Sequence, residues 1–172
     1  ILLTLTFPII ALFALIVKLD SKGPAFFRQE RVGLFGESFH LIKLRSMTTD
    51  AEKDGAKWAS ENDPRVTRVG RFIRKVRIDE LPQTWCVLMG QMSFVGPRPI
   101  TQNELARYGL YAPQYLSLKP GITGLWQVYG RENGCYTERL RLDTAYAQKI
   151  TLALDLSLIV RTALLLFIPS GR

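Results

Sequence analysis

The sequence predicts an α+β domain: a small antiparallel sheet with several helices, flanked by strongly apolar ends. Three observations predict it. Residues 23–48 read as a pair of strands, with turn material at Gly33 and Gly36 and then β-rich alternating sequence from Phe39 to Leu44. Residues 64–78 interleave apolar and basic residues in an amphipathic pattern, and Pro82 shortly afterwards suits the first turn of another helix. The two ends differ from this middle: residues 1–17 carry no charge, and residues 150–169 carry only Asp155 and Arg161.

The length and composition bound the function. A chain of 172 residues suits one domain, or one domain with a small appendage. Hydrophobic residues are 47% and charged residues 22%, which excludes a disordered tail and a polytopic membrane protein. Lys and Arg total 23 against 15 Asp and Glu, a net charge of +8 that calls for an anionic partner such as nucleic acid, lipid headgroups or a phosphorylated substrate. Two distant cysteines, Cys86 and Cys135, exclude a disulfide scaffold and a Cys-based zinc cluster. The single histidine, His40, reads as a strand residue and makes a His-based metal site or a Ser-His-Asp triad hard to build.

At the N-terminus, fourteen of the first seventeen residues are apolar, slightly fewer than the roughly 20 a spanning helix needs. No basic n-region or small-residue cleavage site is present, which argues against a signal peptide. The opening Ile fits a piece of a longer protein. Pro8 lies mid-run, where it removes one helical hydrogen bond and kinks the helix, and Lys18, Asp20 and Lys22 then return the chain to water. A spanning helix, a helix bent at Pro8 that re-enters the face it came from, and a buried core helix all accommodate this run. At the other end, residues 150–169 fit a helix lying in an interface or packed on the domain, stopped by Pro169.

Between these ends, residues 49–61 are polar and helix-compatible. The stretch 64–78 holds Arg65, Arg68, Arg71, Arg74, Lys75 and Arg77 with no acid, and Asp79 and Glu80 follow directly. Two carboxylates beside six cations can hold Mg²⁺ together with substrate phosphates. A carboxylate can also act as a nucleophile toward phosphorus, with arginines neutralising charge on the transferring group. Pro97 and Pro99 lock the backbone around Arg98, a guanidinium fork suited to phosphate oxygens. No GxGxxG or Walker A sequence is present. The residues alone therefore point to Mg²⁺-assisted phosphoryl transfer at a membrane surface. The alternative is a non-catalytic basic module on membrane or nucleic acid. Against nucleic acid, the 65–77 stretch offers only Phe72 for stacking.

The ordered motifs carry a resemblance. Lys43-Leu44-Arg45-Ser46-Met47, Val69-Gly70-Arg71, Asp79-Glu80-Leu81-Pro82-Gln83, Val95-Gly96-Pro97-Arg98-Pro99, Lys119-Pro120-Gly121-Ile122-Thr123-Gly124, Gly130-Arg131, and Asp143 with Tyr146 follow one another through nearly the whole chain. The chain resembles the bacterial sugar transferases, the monotopic polyprenyl-phosphate phosphoglycosyl transferases. The resemblance implies transfer of a phosphosugar from a UDP-sugar to polyprenyl (undecaprenyl) phosphate, with release of UMP, as the first membrane step of polysaccharide or glycoconjugate synthesis. It implies Asp79 as the nucleophile that carries the phosphosugar, and Glu80 with Asp79 as Mg²⁺ ligands. Arg74 and Arg98 fall at phosphate-binding positions, and Lys43, Arg45, Arg131 and Asp143 are further substrate-binding candidates. It also implies a re-entrant membrane-anchoring helix over residues 1–18, bent at Phe7-Pro8, and a catalytic domain over 19–172. That domain would lie, with amphipathic interfacial helices, against lipids on the cytoplasmic face of the bacterial inner membrane. A homodimer is compatible with the sequence.

Three positions depart from the pattern. Phe7-Pro8 stands where Ser-Pro is usual, Cys86 where an Asn is usual, and Gln91 where an Asp is usual.

Overall fold

The computed structural model describes residues 2–53, 55, 60, 63–130 and 135–167. These form two compact units, one from the described residues of 2–28 and 42–82, the other from those of 29–41 and 83–167.

The first unit is organised by two helices. Helix α1 spans Leu2–Asp20 with Pro8 inside it. It buries Ile10 and Val17 against Leu44 and Ile73, with Phe13, Ala14, Val69, Ile78 and Leu81 packed around them. Helix α2, Arg68–Lys75, starts at Thr67, whose hydroxyl accepts from the Gly70 N–H as an N-cap. The Asp20 carboxylate accepts from the Val69 N–H in the same first turn, where the helix dipole favours a negative charge. Gly70 is required for packing: a Cβ there would lie 1.9 Å from the Ser46 carbonyl oxygen. The basic stretch thus becomes one short helix whose apolar side, Ile73 above all, is its core face.

The strands β1 (Phe26–Val32) and β2 (Ser38–Leu44) form a two-stranded antiparallel sheet, closed by a single 3₁₀ turn at Leu34–Gly36. Phe39 and Leu41 are buried while Ser38 and His40 are exposed, the alternation of a half-buried strand, and Leu44 at the strand's end is buried as well.

The second unit contains helix α3 (Gln83–Leu88) and two three-residue strands, β3 (Ser93–Val95) and β4 (Gly121–Thr123). β3 and β4 pair in parallel, with Ser93 opposite Gly121 and Val95 opposite Thr123. Short helices α4 (Gln102–Ala106) and α5 (Ala112–Leu116) fill the crossover, as a parallel connection requires. At Gly121 a Cβ would meet the Gly96 nitrogen at 2.1 Å, so the two strands approach only because glycine is there. Helix α6 (Leu125–Tyr129) follows, then α7 (Tyr136–Gln148) and α8 (Leu152–Phe167). Val95, Tyr146 and Leu158 make one core cluster; Val32, Ile100, Tyr108 and Tyr115 make another.

Two expectations are corrected. The sheet content is not a single small antiparallel sheet, because β3 and β4 add a parallel pair that no local pattern announces. Nor do the described residues form the expected re-entrant membrane helix at Phe7-Pro8. Among the described residues no helix is long and apolar enough to cross a membrane, and α1 continues past Pro8 to Asp20. The physical reason is that one proline removes one hydrogen bond, while Ile10, Phe13, Ala14 and Val17 beyond it hold the helix on its own core. Residues 49–53 form turns rather than a helix, and most of 54–62, with Trp58, lies outside the described residues, as does Pro169.

Candidate active site

The carboxylate pair is placed by a local backbone device. After α2, Arg77 takes the left-handed conformation, φ 57° and ψ 21°, which costs a non-glycine residue roughly 1–2 kcal/mol. The chain then makes one 3₁₀ turn over Ile78–Glu80, with Glu80 N–H donating to the Arg77 carbonyl at 3.2 Å. Ile78 and Leu81 pack on the core of the unit. Asp79 is consequently buried, 8% exposed, whereas Glu80 is half-buried. Pro82 then leads into α3.

Lys43, on β2, donates from Nζ to Glu80 Oε1 at 2.9 Å. Burial pushes the Asp79 carboxyl up to about 6, and the neighbouring Glu80 charge pushes it the same way. Lys43, Arg74 and Arg77 oppose that rise through their positive charges. At neutral pH roughly nine-tenths of a carboxyl of that pKa is ionised. The result is a poorly hydrated carboxylate with three cations close enough to act on it. Such a group can attack an electrophile, and the cations can offset negative charge on an incoming phosphate.

The structure brings together Asp79, Glu80, Lys43 and Arg74 from the sequence-derived set, and adds Arg77, which the sequence shows only as one of six cations. Arg45 lies elsewhere in the same unit: its guanidinium donates to the carbonyls of Val17 (3.4 Å), Ser21 (2.7 Å) and Lys22, tying down the chain that leaves α1. Phe7 and Pro8 are exposed positions of α1.

In the second unit, Arg98 is exposed between buried Pro97 and Pro99. Asp143 on α7 is buried, accepts from the Tyr108 hydroxyl at 2.8 Å and lies 3.8 Å from Arg139 Nε. Burial pushes its carboxyl up to about 6, against the pull of Arg139, Tyr108 and Arg98. Sequence reasoning gave no role to Tyr108 and Arg139, which contact it, or to Glu104 and Arg31, which extend the network from Arg139. The one legible trace was Thr101-x-x-Glu104, a capping-box pattern that the structure realises at the start of α4. Arg131 lies outside the described residues.

Among the described residues no group of three or more His, Cys, Asp or Glu side chains is placed to hold a metal ion. The adjacent Asp79 and Glu80 are a two-carboxylate set, a number that suits Mg²⁺ when substrate phosphates and water complete its shell.

A profile of the family described as bacterial sugar transferase matches residues 1–168. The chain is 38% identical over 175 residues to the UDP-galactose-lipid carrier transferase of Erwinia amylovora, covering 93% of this chain and 36% of that protein. It is 44% identical over 156 residues to the undecaprenyl-phosphate galactose phosphotransferase of Salmonella typhimurium, covering 82% and 33%. It is 44% identical over 163 residues to the UDP-glucose:undecaprenyl-phosphate glucose-1-phosphate transferase of Caulobacter vibrioides, covering 90% and 61%. The chain thus spans about a third of the length of the first two of these relatives. It belongs to the bacterial sugar transferase family.

Proposed function

We propose that this chain is the part of a phosphoglycosyl transferase that moves a sugar 1-phosphate from a UDP-sugar to undecaprenyl phosphate. The reaction would open glycoconjugate or exopolysaccharide synthesis at the cytoplasmic face of the bacterial inner membrane. The single observation that carries the reading is Asp79: a buried carboxylate of raised pKa, beside a second carboxylate and three cations. The reading is supported by the name of the Caulobacter relative, which gives UDP-glucose and undecaprenyl phosphate, and by that of the Salmonella relative, which gives undecaprenyl phosphate and galactose.

The proposed chemistry has two displacements. An Asp79 carboxylate oxygen attacks the sugar-bearing phosphorus of the donor. A new O–P bond forms, the diphosphate O–P bond breaks, and the electron pair leaves with UMP. A phosphate oxygen of the lipid then attacks the same phosphorus and expels the Asp79 carboxylate, yielding the lipid diphosphate sugar. Partial desolvation keeps Asp79 reactive, and Arg74, Arg77 and Lys43 lower the repulsion between the carboxylate and its anionic target. Asp79 and Glu80 would hold Mg²⁺, which supplies charge neutralisation on the donor diphosphate when bound. Lys43, hydrogen-bonded to Glu80, orients that carboxylate.

The test is UMP release from a panel of UDP-sugars with Mg²⁺ and undecaprenyl phosphate, together with the intact mass of protein incubated with donor alone. Wild type should release UMP and gain one sugar-phosphate mass, and the Asp79→Asn variant should do neither. Release of UMP by the variant at the wild-type rate would remove Asp79 from the mechanism. Silence of wild type on every donor would favour the binding-module reading.

A further inference from the structure

The Pro97-Arg98-Pro99 loop has an unusual pattern of partners inside the second unit. Four consecutive carbonyls are each held, by groups drawn from three elements. The Pro97 carbonyl accepts from the Gly121 N–H at 2.8 Å, and the Ile100 carbonyl accepts from the Val32 N–H at 2.9 Å. Between them, the Arg98 carbonyl accepts from Arg139 Nη2 at 3.3 Å and the Pro99 carbonyl from Arg31 Nη1 at 3.1 Å. The loop's main chain is therefore fixed from β4, α7 and β1, while the Arg98 side chain is exposed.

The two guanidiniums share one anchor. Glu104 takes Arg139 on Oε1 and Arg31 on Oε2, both at 3.2 Å. Its own position is set by the capping box, in which its Oε2 accepts from the Thr101 N–H at 2.9 Å. Burial works against the Glu104 charge, but that N–H together with Arg139, Arg31 and Arg98 outweighs it and holds the carboxyl below its ordinary value. On the other side of Arg139 stand Asp143 and the Tyr108 hydroxyl bonded to it. The Arg139 side chain is 1% exposed.

Such a network is a costly way to fill a core. Buried ion pairs often give no more stability than apolar residues of the same volume, because desolvation cancels the attraction. What they supply is geometry, since a planar guanidinium reaches two acceptors at fixed angles. Here one acceptor is the carboxylate and the other is a loop carbonyl flanking Arg98. We infer that Arg139 and Arg31, clamped by Glu104, are positioning residues that hold the Pro97–Pro99 backbone so that Arg98 meets a phosphate group of the donor or the lipid acceptor. On this account Asp143 acts through Arg139 rather than by binding substrate itself.

The inference rests on the transferase reading and on Arg98 touching phosphate, and the experiment separates the three claims. UMP release is measured with the UDP-sugar panel for wild type, Arg98→Ala, Arg139→Lys and the double variant, with folding checked by circular dichroism. Lysine keeps the charge toward Glu104 but cannot fork to the Arg98 carbonyl. Arg139→Lys should lower kcat/KM about tenfold in wild type yet change it less than about twofold in the Arg98→Ala background, the signature of residues acting as one unit. Equal losses in both backgrounds would show that Arg139 acts independently of Arg98 and overturn the inference. An Arg98→Ala variant with wild-type kcat/KM would overturn the role of Arg98 itself. No UMP from wild type with any donor would overturn the transferase reading and this inference with it. If Arg139→Lys does not fold, the same cycle with Arg31→Lys, which loosens the Pro99 carbonyl and leaves Arg139 on the Arg98 carbonyl, decides the matter.

Discussion

Replacing Asp79 by Asn should stabilise the fold while abolishing transfer, and the size of the gain follows from the burial of the carboxylate. Its pKa moves from 3.8 to about 6 on folding, with desolvation as the main cause and the Glu80 charge second. The opposing pull of Lys43, Arg74 and Arg77 is already contained in that net rise. A rise of roughly two units corresponds to about 3 kcal/mol by which ionised Asp79 disfavours the folded state. A folded-state pKa above the unfolded one means that the folded chain holds this proton more tightly. The penalty is therefore absent below about pH 4, grows as pH rises through the interval from 4 to 6, and is complete above it. Asn has nearly the same volume and no charge, so Asp79→Asn should recover the penalty at pH 8 and nothing near pH 4. For a chain of this length, a few kcal/mol shifts Tm by roughly 6–12 °C. Thermal unfolding of wild type and variant at pH 8, 6 and 4.5 reads this directly. The expected pattern is a higher Tm for the variant at pH 8, with a difference that shrinks as pH falls. A variant equal to or less stable than wild type at pH 8, or a difference independent of pH, would refute the argument. It would mean that the cations hold the ionised carboxylate more firmly than burial disfavours it.

Other consequences follow from the same geometry. Transfer that needs ionised Asp79 should lose kcat/KM on the acid side with an apparent pKa near 6. Because Lys43 pulls that pKa down, Lys43→Met should move the acid limb to higher pH; a limb that stays put would remove Lys43 from the electrostatics of the nucleophile. Glu80→Gln should raise the Mg²⁺ concentration for half-maximal UMP release, and an unchanged Mg²⁺ titration would show that Glu80 is not a ligand. Gly70→Ala would bring a Cβ to 1.9 Å from the Ser46 carbonyl, and should destabilise the chain by about 2 kcal/mol or more, seen as a lower Tm. A neutral effect would mean that α2 can shift off Ser46 at little cost. Arg45→Met takes away the side-chain donor of the Ser21 and Lys22 carbonyls and a second donor of the Val17 carbonyl, and denaturant unfolding should register a loss of roughly 2–3 kcal/mol.

Much of the site was legible because it is local. Asp79 and Glu80 follow the six cations within a few residues, and an N-cap at Thr67 and a turn at Arg77 are enough to put Arg74 and Arg77 beside Asp79. Lys43 reached the same set only through the resemblance, since its partner Glu80 lies 37 residues away. Arg45 shows the converse. It sits two residues from Lys43 in a quoted motif, yet its guanidinium serves the end of α1. Arg45 lies just past the end of β2, and closeness in sequence does not say whether a long cationic side chain will meet a carboxylate, as Lys43 does, or backbone carbonyls.

By itself the sequence determined the α+β class, the Gly33–Gly36 hairpin, the dyad beside its cations and the proline-locked Arg98 loop. Each follows from steric and hydrogen-bonding preferences that act over a few residues. The tertiary structure alone decided three further things. It carried α1 through Pro8 as one helix, because the core beyond the proline outweighs one lost hydrogen bond. It joined β3 to β4 in parallel across a crossover longer than either strand, where only Gly121 and Gly96 permit the approach. It also gathered Arg31 from β1, Glu104 from α4, and Arg139 with Asp143 from α7 into one network. Charges in the sequence read as a solvated surface, because their free energy in the interior depends on partners brought from far along the chain.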